Sequence, residues 1–100
     1  MTDTQKENEL ELVLKAAMPN ESFIITRVHD DAWLRPRITW GDDVLGMARK
    51  IVEALGHDKI DFRDDVDTSD PYEAADDIID DPGCDSCGHG AVIVLRGVFR

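Results

Sequence analysis

The sequence predicts one small α+β domain spanning residues 1–100, with helices packed on a mostly antiparallel or mixed sheet. A length of 100 residues gives room for a single hydrophobic core. Three segments place apolar residues at helical spacing, and four others are rich in β-branched residues or alternate between charged and apolar side chains. In chain order these segments predict the arrangement α-β-β-α-β-α-β.

The N-terminal part of the chain predicts a helix followed by a β-hairpin. Residues 5–18 form an amphipathic helical pattern, which Pro19 ends. Residues 23–28 predict a strand, and residues 34–40 predict its partner across a loop of about four residues. Because Pro36 has no N–H to donate, we expect the partner strand to lie at the edge of the sheet, at least near its start. The apolar stripe of the helix consists of Leu10, Val13, Leu14, Ala17 and Met18.

The middle of the chain predicts a second helix and a short strand. The helix begins at Asp42 or Asp43, and Gly56 supplies the left-handed residue that ends it. Residues 59–63 alternate between charged and apolar side chains, as is typical of a half-buried strand. The apolar face of this helix consists of Val44, Leu45, Ala48, Ile51, Val52 and Leu55.

The C-terminal part predicts a third helix and a last strand. Asp70 and Pro71 suit the N-cap and the first position of a helix that extends to Asp80. Residues 91–96 are apolar on both faces, so we expect this strand to be central in its sheet. We expect the helix to direct Ala74, Ala75, Ile78 and Ile79 inward, and to direct Glu73, Asp76, Asp77, Asp80 and Asp81 outward.

The net charge excludes several classes of function. The chain has 22 Asp and Glu against 11 Lys and Arg, a formal net charge of −11. Direct binding to nucleic acid or to an anionic membrane surface needs a surplus of cations, so we expect neither. No apolar run has the roughly 18 residues that a membrane span needs. Since no secretory signal precedes the polar start and only two cysteines occur, we expect a cytoplasmic, reduced protein.

The negative charge is concentrated in one segment. Residues 58–85 hold 12 acids and 2 bases, whereas residues 1–57 hold 10 acids and 7 bases. An adaptation to high salt would spread the acids over the whole surface, which is not the pattern here. An acidic surface that serves only solvation nevertheless stays an alternative to a binding function. We refer to residues 58–85 as the acidic segment.

A concentrated negative field predicts a protein that binds a basic surface. Carboxylates at spacings comparable to those of phosphates can occupy a groove built for nucleic acid, so the expected partner is a nucleic-acid-binding protein. An enzyme is not expected, because no nucleophile–base pair and no glycine-rich phosphate loop is present. The sequence does not indicate an oligomeric state. The candidate partner-binding residues are Asp64, Asp65, Asp67, Asp70, Glu73, Asp76, Asp77, Asp80 and Asp81.

In size and acidity the chain resembles small inhibitors encoded by phages and mobile elements, including DNA mimics and anti-CRISPR proteins. The resemblance is one of composition and includes no sequence motif. It implies that binding to the basic partner inhibits that partner.

Cys84, Cys87 and His89 form a second candidate site. The spacing Cys-x-x-Cys lets two thiolates face one zinc ion, and the histidine offers a third ligand. No second pair of cysteines completes the usual set of four. A small zinc-binding accessory domain is therefore an alternative function, beside a glycine-rich turn with reduced cysteines and a redox pair.

The acidic segment also contains a partial calcium-loop pattern. Asp65, Asp67, Ser69, Glu73 and Asp76 stand at the spacing of calcium ligands in an EF-hand, but the required glycine is missing. Capping of the third helix explains the same residues more simply.

Overall fold

The computed structural model describes residues 3–37, 44–83 and 90–100, which form three helices and a four-stranded antiparallel sheet. The predicted α+β class is confirmed. In chain order the elements are α1 (Asp3–Ala17), β1 (Phe23–Val28), β2 (Asp31–Pro36), α2 (Val44–Leu55), a single 3-10 turn (His57–Lys59), α3 (Pro71–Ile78), β3 (Ile79–Asp81) and β4 (Val92–Leu95).

The sheet has the order β1-β2-β4-β3, so β2 and β4 are its interior strands. The central position predicted for the last strand is confirmed, with Ile93, Val94 and Leu95 buried. The edge position predicted for β2 holds at Pro36, near the predicted start, but is wrong for the strand as a whole. Residues 32–34 of β2 pair with β4, and Pro36 lies beyond that stretch. The missing N–H of Pro36 therefore removes no hydrogen bond from the ladder.

The hairpin between β1 and β2 is tighter than expected. Val28 pairs directly with Asp31, which leaves a two-residue turn, and β2 begins three residues earlier than predicted. His29 has a φ of 55°, the left-handed conformation that such short turns require. The Asp31 carboxylate accepts a hydrogen bond from the Gly97 N–H at 2.9 Å, which holds the turn against the C-terminal residues.

The helices bury the predicted apolar stripes in one core. Leu10 and Leu14 of α1 and Met18 directly after it are buried, while Val13 from the same stripe is 37% exposed. Gly56 ends α2 with a φ of 85°, as predicted. Residues of all three helices and of β2 and β4 form one cluster, which consists of Leu10, Leu14, Met18, Ala32, Leu34, Met47, Ala48, Ile51, Val52, Ile60, Ala74, Ala75, Ile78, Ala91, Ile93, Leu95 and Phe99.

The strand predicted at residues 59–63 is absent, although Ile60 is buried. This stretch makes one backbone bond to the end of β4, from the Asp61 N–H to the Arg96 carbonyl at 2.8 Å. β3 pairs only with Val92 and Ile93, so residues 59–63 meet the end of β4 beyond β3, but a single backbone bond does not make a ladder.

Helix α3 ends at Ile78 rather than at Asp80, because the chain continues as strand β3. Ile79 pairs with Ile93 of β4, and Asp81 pairs with Val92, with an irregular register between the two pairs. This pairing gives hydrogen-bond partners to β4 on the side away from β2. Such a long-range contact cannot be read from a helical spacing pattern. The third strand in chain order is thus Ile79–Asp81.

Candidate functional site

Eight of the nine predicted partner-binding acids are at least partly exposed. Asp70 is half-buried, and Asp77 is buried. The loop after the 3-10 turn carries the first acids, α3 carries the next, and β3 carries the last. We define the acidic surface as the exposed set, which consists of Asp64, Asp65, Asp67, Glu73, Asp76, Asp80 and Asp81.

Asp77 does not point outward, and its assignment to partner binding is wrong. Its side chain is 2% exposed, and Arg96 Nη2 donates to its Oδ2 atom at 2.5 Å. Arg63 Nε lies 3.4 Å from Oδ1, and the Arg63 N–H donates to Oδ2 at 3.2 Å. A buried carboxylate is stable only with such partners. Asp77 therefore fastens α3 to the end of β4 and to the loop that begins the acidic surface.

Three other acids stabilise the entry into α3. Asp70 is the N-cap, as predicted, and accepts a hydrogen bond from the Tyr72 N–H at 2.9 Å. Glu73 accepts from the Asp67 N–H at 2.9 Å. The Ser69 hydroxyl and the Ser69 N–H both donate to Asp67 Oδ1, and these hydrogen bonds lower the pKa of the Asp67 carboxyl. These hydrogen bonds hold the loop before α3 in place, and they favour the charged form of Asp67.

Four acids of the acidic surface have no internal partner. Within the part of the chain that the structure describes, Asp64, Asp65, Asp76 and Asp80 make no hydrogen bond and no ion pair through their carboxylates. We call them the four unpaired carboxylates. Their charge is not compensated by a contacting cation, so it is available to a binding partner.

A groove of about 560 Å³ lies between the first turn of α2 and helix α3, and we call it the α2–α3 groove. Val44 and Leu45 of α2 line one side, and Val66 lies in the loop opposite. Three exposed acids of the acidic surface also line it, namely Asp65, Glu73 and Asp76. The groove therefore combines apolar walls with carboxylates.

The partial calcium pattern does not form a metal site. Asp67 is engaged by Ser69, and Glu73 is engaged by the Asp67 N–H. Residues 3–37, 44–83 and 90–100 contain no group of three or more His, Cys, Asp or Glu side chains arranged to hold a metal ion. Cys84, Cys87 and His89 lie outside the described residues, so zinc binding by this loop stays a prediction.

Sequence reasoning missed the role of Asp77 and the α2–α3 groove. Asp77 lies three residues after Ala74 and one before Ile78, at the border of the apolar stripe of α3, and this position was the available signal. The two walls of the groove are far apart in sequence, so no local pattern joins Val44 to Val66.

Tyr72 is a further feature of this region that the sequence did not single out. Its ring is 56% exposed, and the Arg49 guanidinium lies 4.5 Å from the ring centroid. Tyrosine and arginine are over-represented among the residues that contribute most to protein interfaces. The pair lies at the start of α3, next to the acidic surface.

Comparisons with known protein families, with curated proteins and with solved structures found no match to this chain. Among the described residues, no helix has the length and apolar character required to cross a membrane.

Proposed function

We propose that this chain is a non-enzymatic interaction protein whose acidic surface binds a basic, nucleic-acid-binding partner and inhibits it. The observation that carries the proposal is the set of four unpaired carboxylates around α3. The two bases that form ion pairs with α3, Arg63 and Arg96, both contact the buried Asp77. The negative field of the acidic surface therefore extends into solvent.

Electrostatic attraction explains how such a surface would select its partner. At physiological salt the screening length is about 8 Å, so exposed charges attract an approaching basic surface over a few solvent layers. A groove that binds nucleic acid carries Lys and Arg aimed at phosphates, and carboxylates can satisfy the same donors. A partner occupied in this way cannot bind its nucleic acid, which is the basis of the proposed inhibition.

The proposal is tested by neutralising the four unpaired carboxylates together. The variant carries Asp64→Asn, Asp65→Asn, Asp76→Asn and Asp80→Asn, and none of these changes removes an internal contact. Tagged wild type and variant are used to capture proteins from a cell lysate at low and high salt. Captured proteins are identified by mass spectrometry and then displaced with duplex DNA or RNA. We expect wild type to capture a nucleic-acid-binding protein. We expect the variant to bind that protein with an affinity at least about 10-fold lower.

A matched control removes the same charge elsewhere. Glu7, Glu9, Glu21 and Asp30 lie in α1 and in loops outside the acidic segment, and their replacement by Gln or Asn also changes the net charge by four. Within the described residues, none of these four carboxylates makes a hydrogen bond or an ion pair. This control is expected to keep its affinity within about twofold. Equal losses in the two variants, or a captured partner that nucleic acid does not displace, would contradict the proposal. Wild type that captures no such protein would leave the acids as a solvating surface only.

Zinc binding by Cys84, Cys87 and His89 is the second candidate function. The observation that favours it is the Cys-x-x-Cys-x-His spacing, in a segment that joins the paired strands β3 and β4. Elemental analysis of the purified protein tests it. Near-stoichiometric zinc that is lost in Cys87→Ser would support the site, and a wild type without zinc would overturn it.

A further inference from the structure

We infer that the α2–α3 groove receives an arginine side chain of the partner. This inference rests on the proposed function and deepens it, because it names the group that the acidic surface anchors. The acidic surface attracts basic surfaces, whereas the groove offers a place for one cationic side chain.

The groove has the size and the walls that a long side chain needs. Its volume of about 560 Å³ lies within the range of 300–1,000 Å³ that is typical of ligand pockets. Val44, Leu45 and Val66 offer apolar contact along it, and Ile79 of β3 adds a fourth apolar side chain. Methylene groups of an arginine stem would cover this apolar surface while the guanidinium stays near water.

The charge of the groove matches a cation. Its lining contains four carboxylates, those of Asp65, Glu73, Asp76 and Asp77, and one guanidinium, that of Arg63, so its net charge is −3. Arg63 and Arg96 balance Asp77, and Glu73 is bonded to a backbone N–H. The carboxylates of Asp65 and Asp76 remain without a partner in the described part of the chain. These two acids are the expected contacts of the incoming guanidinium.

Arginine fits this groove better than lysine does. The guanidinium is planar, is less strongly hydrated than an ammonium group and bonds carboxylates in a bidentate manner. Within the chain, Arg63 already forms an ion pair at this groove, since its Nε lies 3.4 Å from the carboxylate of Asp77. An arginine that contacts phosphate in the partner would present the same donors to the groove.

The test uses the full chain and a small probe, the N-acetylated and amidated tripeptide Gly-Arg-Gly. Binding is followed by the backbone amide shifts of the protein in NMR titrations. Tripeptides with lysine or with citrulline, the neutral isostere of arginine, replace the probe in parallel titrations. We expect saturable shifts at Val44, Val66 and Asp76, binding about threefold weaker for lysine and none for citrulline.

Two variants with equal charge separate the groove from the general field. Asp65→Asn with Asp76→Asn changes the groove, whereas Asp64→Asn with Asp80→Asn changes only acids outside its lining. We expect the first pair to weaken probe binding about fivefold or more, and the second less than about twofold. Absence of saturable shifts, equal losses in the two pairs, or equal binding of citrulline would overturn the inference.

The same two variants distinguish this inference from the proposed function. Partner capture that survives in both pairs equally, but fails when all four carboxylates are neutralised, would overturn the groove and support the acidic surface. Probe binding in the groove without capture of any nucleic-acid-binding protein would support the groove and overturn the proposed function.

Discussion

Helices α1 and α3 are both acidic and amphipathic, but they differ in how far bases on the same helix balance the acids. Helix α1 carries a formal net charge of −2 over 15 residues, and it includes two lysines. Lys15 Nζ lies 2.9 Å from Glu11 Oε1, and Lys6 Nζ donates to the Arg100 carbonyl at 3.0 Å. Helix α3 carries −3 over 8 residues and contains no base. The charge of α1 is thus partly balanced on the helix itself.

The cations that contact α3 come from other parts of the chain. Arg63 and Arg96 contact one acid, the buried Asp77, and leave Asp76 without a partner among the described residues. One helix therefore contains an acid that holds the fold together and an acid that is free for an intermolecular contact. Fractional exposure separates these two roles, whereas residue type does not.

The largest expected effect is the loss of stability when the buried carboxylate of α3 is removed. Asp77→Ala removes the acceptor of two arginine contacts, and we expect the free energy of unfolding to fall by about 2–4 kcal/mol. Urea denaturation measures this loss. Asp76→Ala on the same helix is the control, with an expected change within about 0.5 kcal/mol. Similar losses in the two variants would remove the distinction drawn between these acids.

A smaller loss is expected at the start of α3. Asp70→Ala deletes the side-chain acceptor of the Tyr72 N–H, and loss of an N-cap costs about 1 kcal/mol. Thermal and urea unfolding both measure the change. Asp64→Ala, which removes an acid without an internal partner from the preceding loop, is expected to leave stability within about 0.5 kcal/mol. A cap deletion without effect would show that packing alone sets this helix end.

The ion pair of α1 is expected to contribute less. Glu11→Gln removes the partner of Lys15, which is an exposed pair at i and i+4, so we expect a loss of about 0.3–0.5 kcal/mol. The loss should disappear in about 1 M NaCl, because salt screens exposed charges. Asp76→Asn on α3 provides the contrast, since it removes unbalanced charge and is expected to preserve or slightly raise stability. A loss for Asp76→Asn equal to that for Glu11→Gln would contradict the difference between the helices.

The smallest expected effect concerns pH. The hydrogen bonds from Ser69 lower the pKa of Asp67 in the folded state. A lowered folded pKa contributes stability above the ordinary carboxyl pKa of about 4, and the contribution is lost as pH falls through the folded value. Ser69→Ala removes the hydroxyl donor, so we expect the pKa of Asp67 to rise. An NMR titration of the side-chain carboxyl carbon checks this, and an unchanged pKa would contradict the role of Ser69.

Local patterns were sufficient wherever the determining contacts are near in sequence. The spacing of Leu10, Leu14 and Met18 predicted the buried stripe of α1, and Asp70 followed by Pro71 predicted the start of α3. The alternation at residues 59–63 predicted the burial of Ile60 but the wrong backbone, because a strand needs a ladder of hydrogen bonds and this stretch makes one bond to the end of β4.

Long-range contacts account for what the sequence did not predict. Asp77 is buried because Arg63 and Arg96, 14 and 19 residues away, are brought to it by the fold. Helix α3 stops early because β3 pairs with β4 across the intervening segment. The acidic surface was predicted as a set of residues, but the division between engaged and unpaired acids required their contacts.

The contact between Asp77 and Arg96 also has a consequence for the timing of folding. A chain is synthesised from its N-terminus, so the acids of the loop and of α3 exist before Arg96 has been added. The hydrogen bonds of the Asp61 N–H and of the Asp31 carboxylate likewise form only after residues 96 and 97 have been added, because their partners are the Arg96 carbonyl and the Gly97 N–H. A nascent chain that ends before these residues has an acidic segment but lacks the contacts that hold its shape. The shape of the acidic surface is therefore a property of the finished segment and not of the emerging one.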